Sequence, residues 1–115
     1  KIKKKSEIDF SKERIENHKT KQGYIYILSN KSFPNFIKIG STMRDPIIRA
    51  NELSDTSVPF PYQVEYKILT INCEILEKII HNKLSKHRVD LEREFFNCSI
   101  KDAIDIIKET IEYGN

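Results

Sequence analysis

The sequence predicts an α+β domain in which a small three-stranded antiparallel sheet is flanked by helices. Two segments of alternating side chains, 23–29 and 36–41, surround a turn rich in Asn, Ser and Pro and form a hairpin. A third alternating segment, 62–70, follows a helix-start signal, and two stretches with apolar residues at three- and four-residue spacing come after it. The order contains no long parallel crossover, which favours an antiparallel sheet with helices packed on it.

The predicted strands differ in how their faces alternate. In the first strand, Tyr26 and Leu28 face one way and Ile25 and Ile27 the other, as in a strand covered on both sides. The third strand has one apolar face, made by Val64, Tyr66 and Ile68. We expect a short extended segment, Phe95-Phe96, before the last helix. Both rings are expected to belong to the core.

Each predicted helix has a start signal. Asp45 before Pro46 indicates a helix over residues 46–53, because Asp accepts a hydrogen bond from a free backbone N–H and Pro tolerates the first position. Asn72 is expected to cap a second helix that extends to about residue 86. Ser99, with an acidic residue three positions later, begins the final helix, 100–113.

Length and charge divide the chain into two parts. Its 115 residues suffice for one core, which we assign to residues 23–115. Residues 1–22 carry eight Lys/Arg against four Asp/Glu and are interpreted as a basic extension or linker, whereas the remainder carries twelve against thirteen. Because the chain starts with Lys, we expect it to be a piece of a longer protein with a further domain upstream.

Composition excludes several classes of function. No apolar run approaches the roughly 20 residues that span a bilayer, and no secretory signal is present, so we expect no membrane partner and a cytoplasmic location. Cys73 and Cys98 are isolated, which excludes a zinc ribbon or a CxxC redox motif and favours two reduced core residues. The net charge of +3 is only a weak argument for a nucleic-acid partner, because the basic residues are concentrated in the extension.

Several short segments resemble motifs of the GIY-YIG nuclease superfamily. Residues 23–26 (GYIY) and 38–40 (KIG) stand where its two signature motifs fall. The segments at 56–61 (TSVPFP), 77–81 (Glu-x-x-x-His) and 93–96 (REFF) look like the branch common in phages and bacteria. The resemblance covers about residues 23 to 111 and implies an endonuclease domain that hydrolyses DNA with one Mg²⁺ or Mn²⁺, with no small-molecule cofactor.

The resemblance assigns catalytic roles to four residues on the first two strands and the helix after them. Tyr26 corresponds to the tyrosine that activates or orients water, and Tyr24 is a second candidate for orienting water or phosphate; both are otherwise ordinary strand tyrosines. Lys38 replaces the tyrosine of the second motif, and a solvent-facing edge lysine is the alternative. Arg49 matches the catalytic arginine, or else pairs with a neighbouring Glu. Gly40 permits close backbone approach.

The second helix and the segment after it supply the acidic and imidazole candidates. Glu77 corresponds to the metal-ligand glutamate, and a single carboxylate with waters suits Mg²⁺. His81 is a second ligand, an acid or a phosphate contact, or simply forms a boundary pair with Glu77. Glu94 is either a carboxylate at the edge of the site or a structural anchor for Arg88 or Lys83.

Four further basic residues are candidates for contacting the nucleic-acid backbone: Arg44, Lys31, His87 and Arg88. Solvated surface positions are the alternative for them. At the level of function, two alternatives to the endonuclease remain open. The domain could bind nucleic acid without catalysis, since Lys38 replaces a phenol, or it could be a structural or protein-interaction domain of a larger phage or bacterial protein.

Overall fold

The structure, a computed structural model, describes residues 22–55, 58–89 and 94–113. In chain order the elements are β1 (Gln22–Ser29), β2 (Ile37–Thr42), α1 (Pro46–Leu53), β3 (Gln63–Ile71), α2 (Cys73–Lys83), a 3₁₀ turn (Ser85–His87), β4 (Phe95–Phe96) and α3 (Ile100–Tyr113). The predicted α+β class is confirmed. Apart from Gln22, which begins β1, the predicted basic extension lies outside the described residues, as does part of the TSVPFP loop.

The antiparallel sheet has four strands in the order β3-β1-β2-β4, one more than the sequence predicts. The additional strand is the short Phe95-Phe96 segment, which pairs with Ile37 and Lys38 of β2. Beyond this pairing, the Ile39 amide donates to the Glu94 carbonyl oxygen at 3.1 Å. The side of β2 that faces β4 is therefore covered only over its first half.

A bulge in β3 places Val64 and Tyr66 on opposite faces of the sheet, so the prediction of a single apolar face for this strand is wrong. Ile27 pairs with Tyr66, but its neighbour Leu28 pairs with Val64, so Glu65 is an extra residue between two pairs. An extra residue in one strand reverses the facing of the side chains beyond it. Val64 therefore packs on the opposite face from Tyr66, and the single apolar face expected for β3 is split between two cores.

Both faces of the sheet are covered, as the alternation in β1 predicts. The larger core lies beneath α2 and α3 and is formed by Ile25, Ile27, Ile37, Ile39, Cys73, Leu76, Ile80, Leu84, Phe96, Ala103 and Ile107. The smaller core lies beneath α1, where Tyr26, Leu28 and Ala50 are buried. Tyr26 and Leu28 therefore belong to one layer and Ile25 and Ile27 to the other.

Two of the three predicted caps form as expected. The Asp45 carboxylate accepts from the Ile47 amide at 2.9 Å, and the Ser99 hydroxyl accepts from the Asp102 amide at 3.0 Å. Asn72 precedes α2 without a side-chain cap and instead adopts a left-handed conformation with φ of 60°. Asn tolerates this conformation better than most residues, and here it turns the chain directly from β3 into α2.

The second helix is shorter than predicted, because α2 ends at Lys83 and a 3₁₀ turn follows. Cys73 is buried, Cys98 is half-buried, and both are free thiols, in agreement with the prediction of reduced packing residues. Within the part of the chain that the structure describes, none of the helices has the length and apolar character needed to cross a membrane.

Candidate functional site

The predicted catalytic residues meet around Gly40, where the pairing of β2 with β4 has ended. Tyr26 lies directly across from Gly40 in the β1–β2 ladder. A methyl group on Gly40 would lie 2.5 Å from the Tyr26 hydroxyl oxygen and 3.0 Å from Glu94 Oε1. Both groups therefore occupy the space that a larger residue would fill, which gives the glycine of the second motif a steric reason.

On the α1 side, the Arg49 guanidinium is near enough to the Tyr26 hydroxyl for hydrogen bonding to it to lower the pKa of that phenol. Arg49 Nη1 also lies 3.5 Å from Glu52 Oε1, so the predicted catalytic position and the alternative helix pair occur together. Burial raises the pKa of Tyr26, and the Arg49 hydrogen bond opposes this shift. The Tyr26 phenol is accordingly protonated at neutral pH.

Lys38 is held inside the cluster and does not face solvent. Its side chain is 12% exposed, its Nζ lies 3.5 Å from Glu94 Oε1, and it sits 5.3 Å from the centre of the Phe95 ring. The alternative of a solvent-facing edge lysine is wrong, because β4 covers this part of β2. The ammonium group is on the same face of the sheet as Tyr26, two positions from Gly40 along β2.

Glu77 approaches the same edge from the opposite face of the sheet. The Ser41 hydroxyl donates to Glu77 Oε1, and the Glu94 carboxyl group is near enough to act on the pKa of Glu77. Burial, followed by this influence of Glu94, raises the pKa of Glu77 to about 7, against the lowering effects of Ser41 and Lys38. The Glu77 carboxyl group therefore keeps its proton to a higher pH than an ordinary glutamate does.

His81 supports this face of the cluster. Its Nε2 donates to the Ile39 carbonyl oxygen at 2.8 Å and lies 3.6 Å from Glu77 Oε2, while the ring packs against Phe96 at 5.0 Å between centres. Burial lowers the pKa of His81, so the ring is neutral at neutral pH. The boundary pair with Glu77 is thus formed, and Nε2 is occupied by the backbone.

The chemistry of the donor set fits a hard divalent cation. Mg²⁺ is bound by one or two protein carboxylates and keeps several waters, and the Glu77 carboxyl group, held by the Ser41 hydroxyl, is such a ligand. Among the residues that the structure describes, no group of three or more His, Cys, Asp and Glu side chains could hold a metal ion. A caged zinc-type site is therefore not formed there, whereas a carboxylate site that keeps its waters is compatible with the geometry.

Two further predicted residues lie next to the cluster. Arg44 Nη2 lies 2.8 Å from Glu52 Oε2, and Glu52 also contacts Arg49, so Arg44 extends the cationic side of the site onto the surface. Tyr24 is half-buried on the same face as Tyr26, and the Lys67 ammonium lies 5.9 Å from its ring centre. The structure brings Tyr24 into contact with β3, beside the cluster.

The remaining predicted nucleic-acid contacts lie elsewhere. Lys31 is exposed in the turn between β1 and β2, beside a groove formed by that turn and the start of α3, and its Nζ lies 5.9 Å from the centre of the Phe60 ring. His87 is exposed in the 3₁₀ turn. Arg88, next to it, is half-buried with its guanidinium 5.8 Å from the centre of the Phe96 ring.

Two contacts around Glu94 and Glu77 were not predicted. For Glu94 the sequence leaves open an anchor for Lys83, but Lys83 donates to the Thr110 hydroxyl at 3.0 Å and Glu94 pairs with Lys38. Ser41 was not singled out, although it binds Glu77. The alternation of β2 could have found it, because Ser41 faces the opposite way from Gly40 and therefore towards the layer that contains α2.

Comparison with known proteins gives one match. Neither the curated proteins nor the solved structures contain a protein that this chain matches. The T5orf172 domain matches residues 23–111, which include every element described above except the first residue of β1 and the end of α3. The chain therefore belongs to the T5orf172 domain family, a phage-associated family related to nuclease-like folds.

Proposed function

We propose that this domain is a metal-dependent endonuclease that hydrolyses DNA phosphodiester bonds with a GIY-YIG-like site. The observation that carries the proposal is the convergence around Gly40 of the Tyr26 hydroxyl, the Arg49 guanidinium and the carboxyl groups of Glu77 and Glu94. These groups come from both faces of the sheet. A folding core alone gives no reason to collect so many ionisable groups at one sheet edge.

The cationic residues would stabilise the phosphate. Arg49 can hold two phosphate oxygens while charge develops on them, and it lies near the Tyr26 hydroxyl, whose pKa it lowers. Lys38 would place a second positive charge on the same side of the sheet, next to Glu94. A preorganised guanidinium and ammonium would therefore act on the transition state without rearranging.

Tyr26 would position the attacking water. Because the Arg49 guanidinium can only donate, a hydrogen bond from it would leave the Tyr26 O–H free to point towards a substrate or water. The raised pKa of Tyr26 favours orientation of the water over ionisation in the free protein. Removal of the water's proton by this phenol requires its pKa to fall, and the Arg49 hydrogen bond acts in that direction.

Glu77 would hold the divalent cation, for which we expect Mg²⁺ or Mn²⁺. Such a cation, when bound, neutralises the charge that forms on the leaving oxygen. The Ser41 hydroxyl fixes the orientation of the Glu77 carboxyl group by its hydrogen bond to Oε1, and the His81 ring lies 3.6 Å from the other oxygen. These contacts keep Glu77 at the sheet edge and prevent it from turning along the helix surface.

One observation favours a second function, which is nucleic-acid binding without catalysis. Lys38 cannot act as the hydrogen-bond acceptor that a second-motif phenol would provide, and the Tyr26 pKa is shifted away from ionisation. The same cationic groups would still bind phosphates. The two functions differ in whether a bond is cleaved when a divalent cation is present.

A plasmid-nicking assay with Mg²⁺ or with EDTA tests the proposal. We expect metal-dependent nicking by the wild type, and a loss of roughly 10²–10³-fold in rate for Arg49→Ala, the size found when one transition-state donor is removed. Glu77→Gln should lose at least as much, because it removes the metal ligand. The readout is the single-turnover rate at saturating protein.

Lys101→Ala is the matched control, because Lys101 is an exposed cation on α3 that pairs with Asp105. It should nick at the wild-type rate. Binding of DNA that weakens as salt rises, with no cleavage under any divalent cation, would favour the non-catalytic module. An absence of nucleic-acid affinity at low salt would contradict both functions.

A further inference from the structure

The outer strand β3 places a cation beside Tyr26. Lys67 lies directly across from Tyr26 in the β1–β3 ladder, as Gly40 does on the other side in the β1–β2 ladder. Residues directly opposite each other in an antiparallel pair project from the same face of the sheet. Tyr26 is therefore flanked on its own face by a glycine on one side and by a lysine on the other.

The Lys67 ammonium group is held in place and remains open to solvent. Its Nζ lies 3.3 Å from Asp45 Oδ1 and 3.4 Å from Oδ2, and 5.9 Å from the centre of the Tyr24 ring. The side chains of the Lys67–Asp45 pair are 40% and 45% exposed, and an exposed pair contributes little to stability. An ammonium group has three donors, so one carboxylate leaves capacity for a phosphate oxygen.

Beyond Lys67, the same face of β3 presents apolar side chains to solvent. Leu69 is 53% exposed and Ile71 is 46% exposed, whereas Ile68 between them points the other way and packs on the larger core. Exposed apolar residues that share a surface commonly mark an interaction site. A cation followed by apolar side chains suits a nucleic-acid strand, whose backbone presents phosphates next to sugars.

The ion pairs on this face leave a charge that is complementary to phosphate. Arg44 and Arg49 share the carboxylate of Glu52, and Lys67 pairs with Asp45. These pairs together carry one positive charge in excess. The cations therefore continue from the proposed site, across β1, to the outer strand.

We propose that Lys67 binds a phosphate next to the scissile one on the same DNA strand, and that Leu69 and Ile71 lie beneath the adjoining sugars. The inference rests on the proposed function, because it extends the path of the substrate from Arg49 across β1 to β3. It goes beyond the sequence resemblance, which assigns no site residue to β3.

Lys67→Ala tests the phosphate contact without cleavage. The probe is a short fluorescein-labelled DNA duplex in EDTA, with binding measured by fluorescence anisotropy over a series of salt concentrations. The slope of log K against log salt should be smaller in magnitude by about 0.9 than in the wild type, and affinity at about 0.1 M salt should fall by about eightfold, as for one lost phosphate contact. Lys67→Arg should keep the wild-type slope, because a guanidinium also binds phosphate. A wild-type slope in Lys67→Ala, or a wild type that does not bind the duplex, would overturn the proposal.

Lys101→Ala is the matched control for the loss of one positive charge. Lys101 also lies 3.3 Å from an aspartate, Asp105, but it belongs to α3, which packs on the other face of the sheet. Its replacement should leave the salt slope unchanged. A slope reduced as much as in Lys67→Ala would mean that only the net charge matters, which would contradict a contact at Lys67.

Leu69→Glu tests the apolar part of the surface. A carboxylate at this position would face the DNA backbone, so affinity should fall by about tenfold or more through repulsion between like charges. Ile75→Glu is its control, because Ile75 is exposed to a similar degree, 43%, on α2. Equal losses in the two variants would contradict the proposed path.

The inference and the proposed function can fail separately. Nicking by the wild type, together with an unchanged salt slope in Lys67→Ala, would overturn the role of Lys67 and leave the endonuclease intact. Binding that depends on Lys67 without nicking under any divalent cation would contradict the endonuclease and support the phosphate contact.

Discussion

The two faces of the sheet differ in thickness and in the chemistry that they support. The face beneath α2 and α3 carries the larger core and presents Glu77 to the edge of β2. The face beneath α1 has the smaller core and presents the cations, of which Arg49 remains 41% exposed. The more buried face therefore holds Glu77, and the thinner face holds Arg49 in contact with solvent.

This difference shows how a small domain can keep an acidic side chain and a cation close together without forming an ion pair. Glu77 is desolvated, so its charged form is disfavoured, whereas Arg49 keeps contact with solvent and stays charged. Glu77 and Arg49 approach each other around Gly40, where β2 has no side chain to separate the two faces of the sheet. A site built across an edge can therefore combine a nearly neutral acid with a full positive charge.

The strongest test of this contrast is the pH dependence of the free energy of unfolding, which we expect to come from Glu77 on the face beneath α2 and α3. The pKa of Glu77 rises from 4.5 to about 7 on folding, so the folded protein binds its proton more tightly than the unfolded chain does. The resulting stability is fully present below about pH 4.5 and is lost as pH rises through about 7, by up to about 3 kcal/mol. Denaturant unfolding without divalent cations, repeated across this range, measures it.

Glu77→Gln is the control, because the amide cannot titrate. Its free energy of unfolding should lose most of this slope between about pH 4.5 and 7. Equal slopes in the wild type and the variant would contradict the assignment of the raised pKa to Glu77. The contrast between the two faces would then lose its electrostatic basis.

The two motif glycines provide an intermediate test. Gly23→Ala would place a methyl group 2.8 Å from the Thr42 carbonyl oxygen and 2.5 Å from Cys73 Sγ, whereas Gly40→Ala would press on the Tyr26 hydroxyl. Each should cost about 1–3 kcal/mol, as overpacking does, with Gly23→Ala at the upper end because backbone cannot move aside. Unfolding curves measure the cost, and nicking per folded molecule measures the function.

The expected difference is in function. Gly40→Ala should lose nicking beyond its loss of folded protein, since it displaces Tyr26, while Gly23→Ala should not. If both variants lose nicking in proportion to stability alone, Gly40 is needed only for packing. The two substitutions thus separate the steric requirement of the fold from that of the site.

The smallest expected effect concerns two adjacent hydroxyls on opposite faces of β2. Ser41→Ala removes the donor to Glu77 and should cost about 1 kcal/mol, because a hydrogen bond to a buried acceptor is lost. It should also raise the pKa of Glu77, since that bond lowers it. The Glu77 carboxyl signal in a ¹³C NMR titration reports the shift.

Thr42→Val is the matched substitution, because the Thr42 hydroxyl accepts from the Arg44 amide at 3.2 Å in an exposed position on the other face. We expect a change in stability within about 0.5 kcal/mol and no change in the Glu77 titration. A shift of the Glu77 pKa in Thr42→Val as large as in Ser41→Ala would show that the two faces are not electrically separate.

Local patterns in the sequence predicted most of the fold. The two-residue alternation of β1 placed Tyr26 and Ile25 in different layers, and the caps at Asp45 and Ser99 followed from side-chain chemistry within three residues. Such features depend on near neighbours along the chain. They are therefore readable before any tertiary contact is known.

The features that the sequence did not predict depend on pairing between distant segments. The bulge at Glu65 arises from the match between β1 and β3, and the influence of Glu94 on Glu77 arises from the docking of β4 against β2. Nothing in either segment specifies its partner or register. The individual site candidates could be proposed from motifs, but the burial that raises the pKa of Glu77 became visible only in the fold.

The left-handed Asn72 has a consequence for how the two acids reach the site. Because only this residue separates β3 from α2, Glu77 is tethered to one outer strand, while Glu94 immediately precedes the opposite outer strand, β4. The two acids therefore start from opposite edges of the sheet and are both brought to β2, where Ser41 binds the Glu77 carboxyl group and the Ile39 amide binds the Glu94 carbonyl oxygen. The turn at Asn72 thus decides from which edge α2 carries Glu77 towards the middle of the sheet.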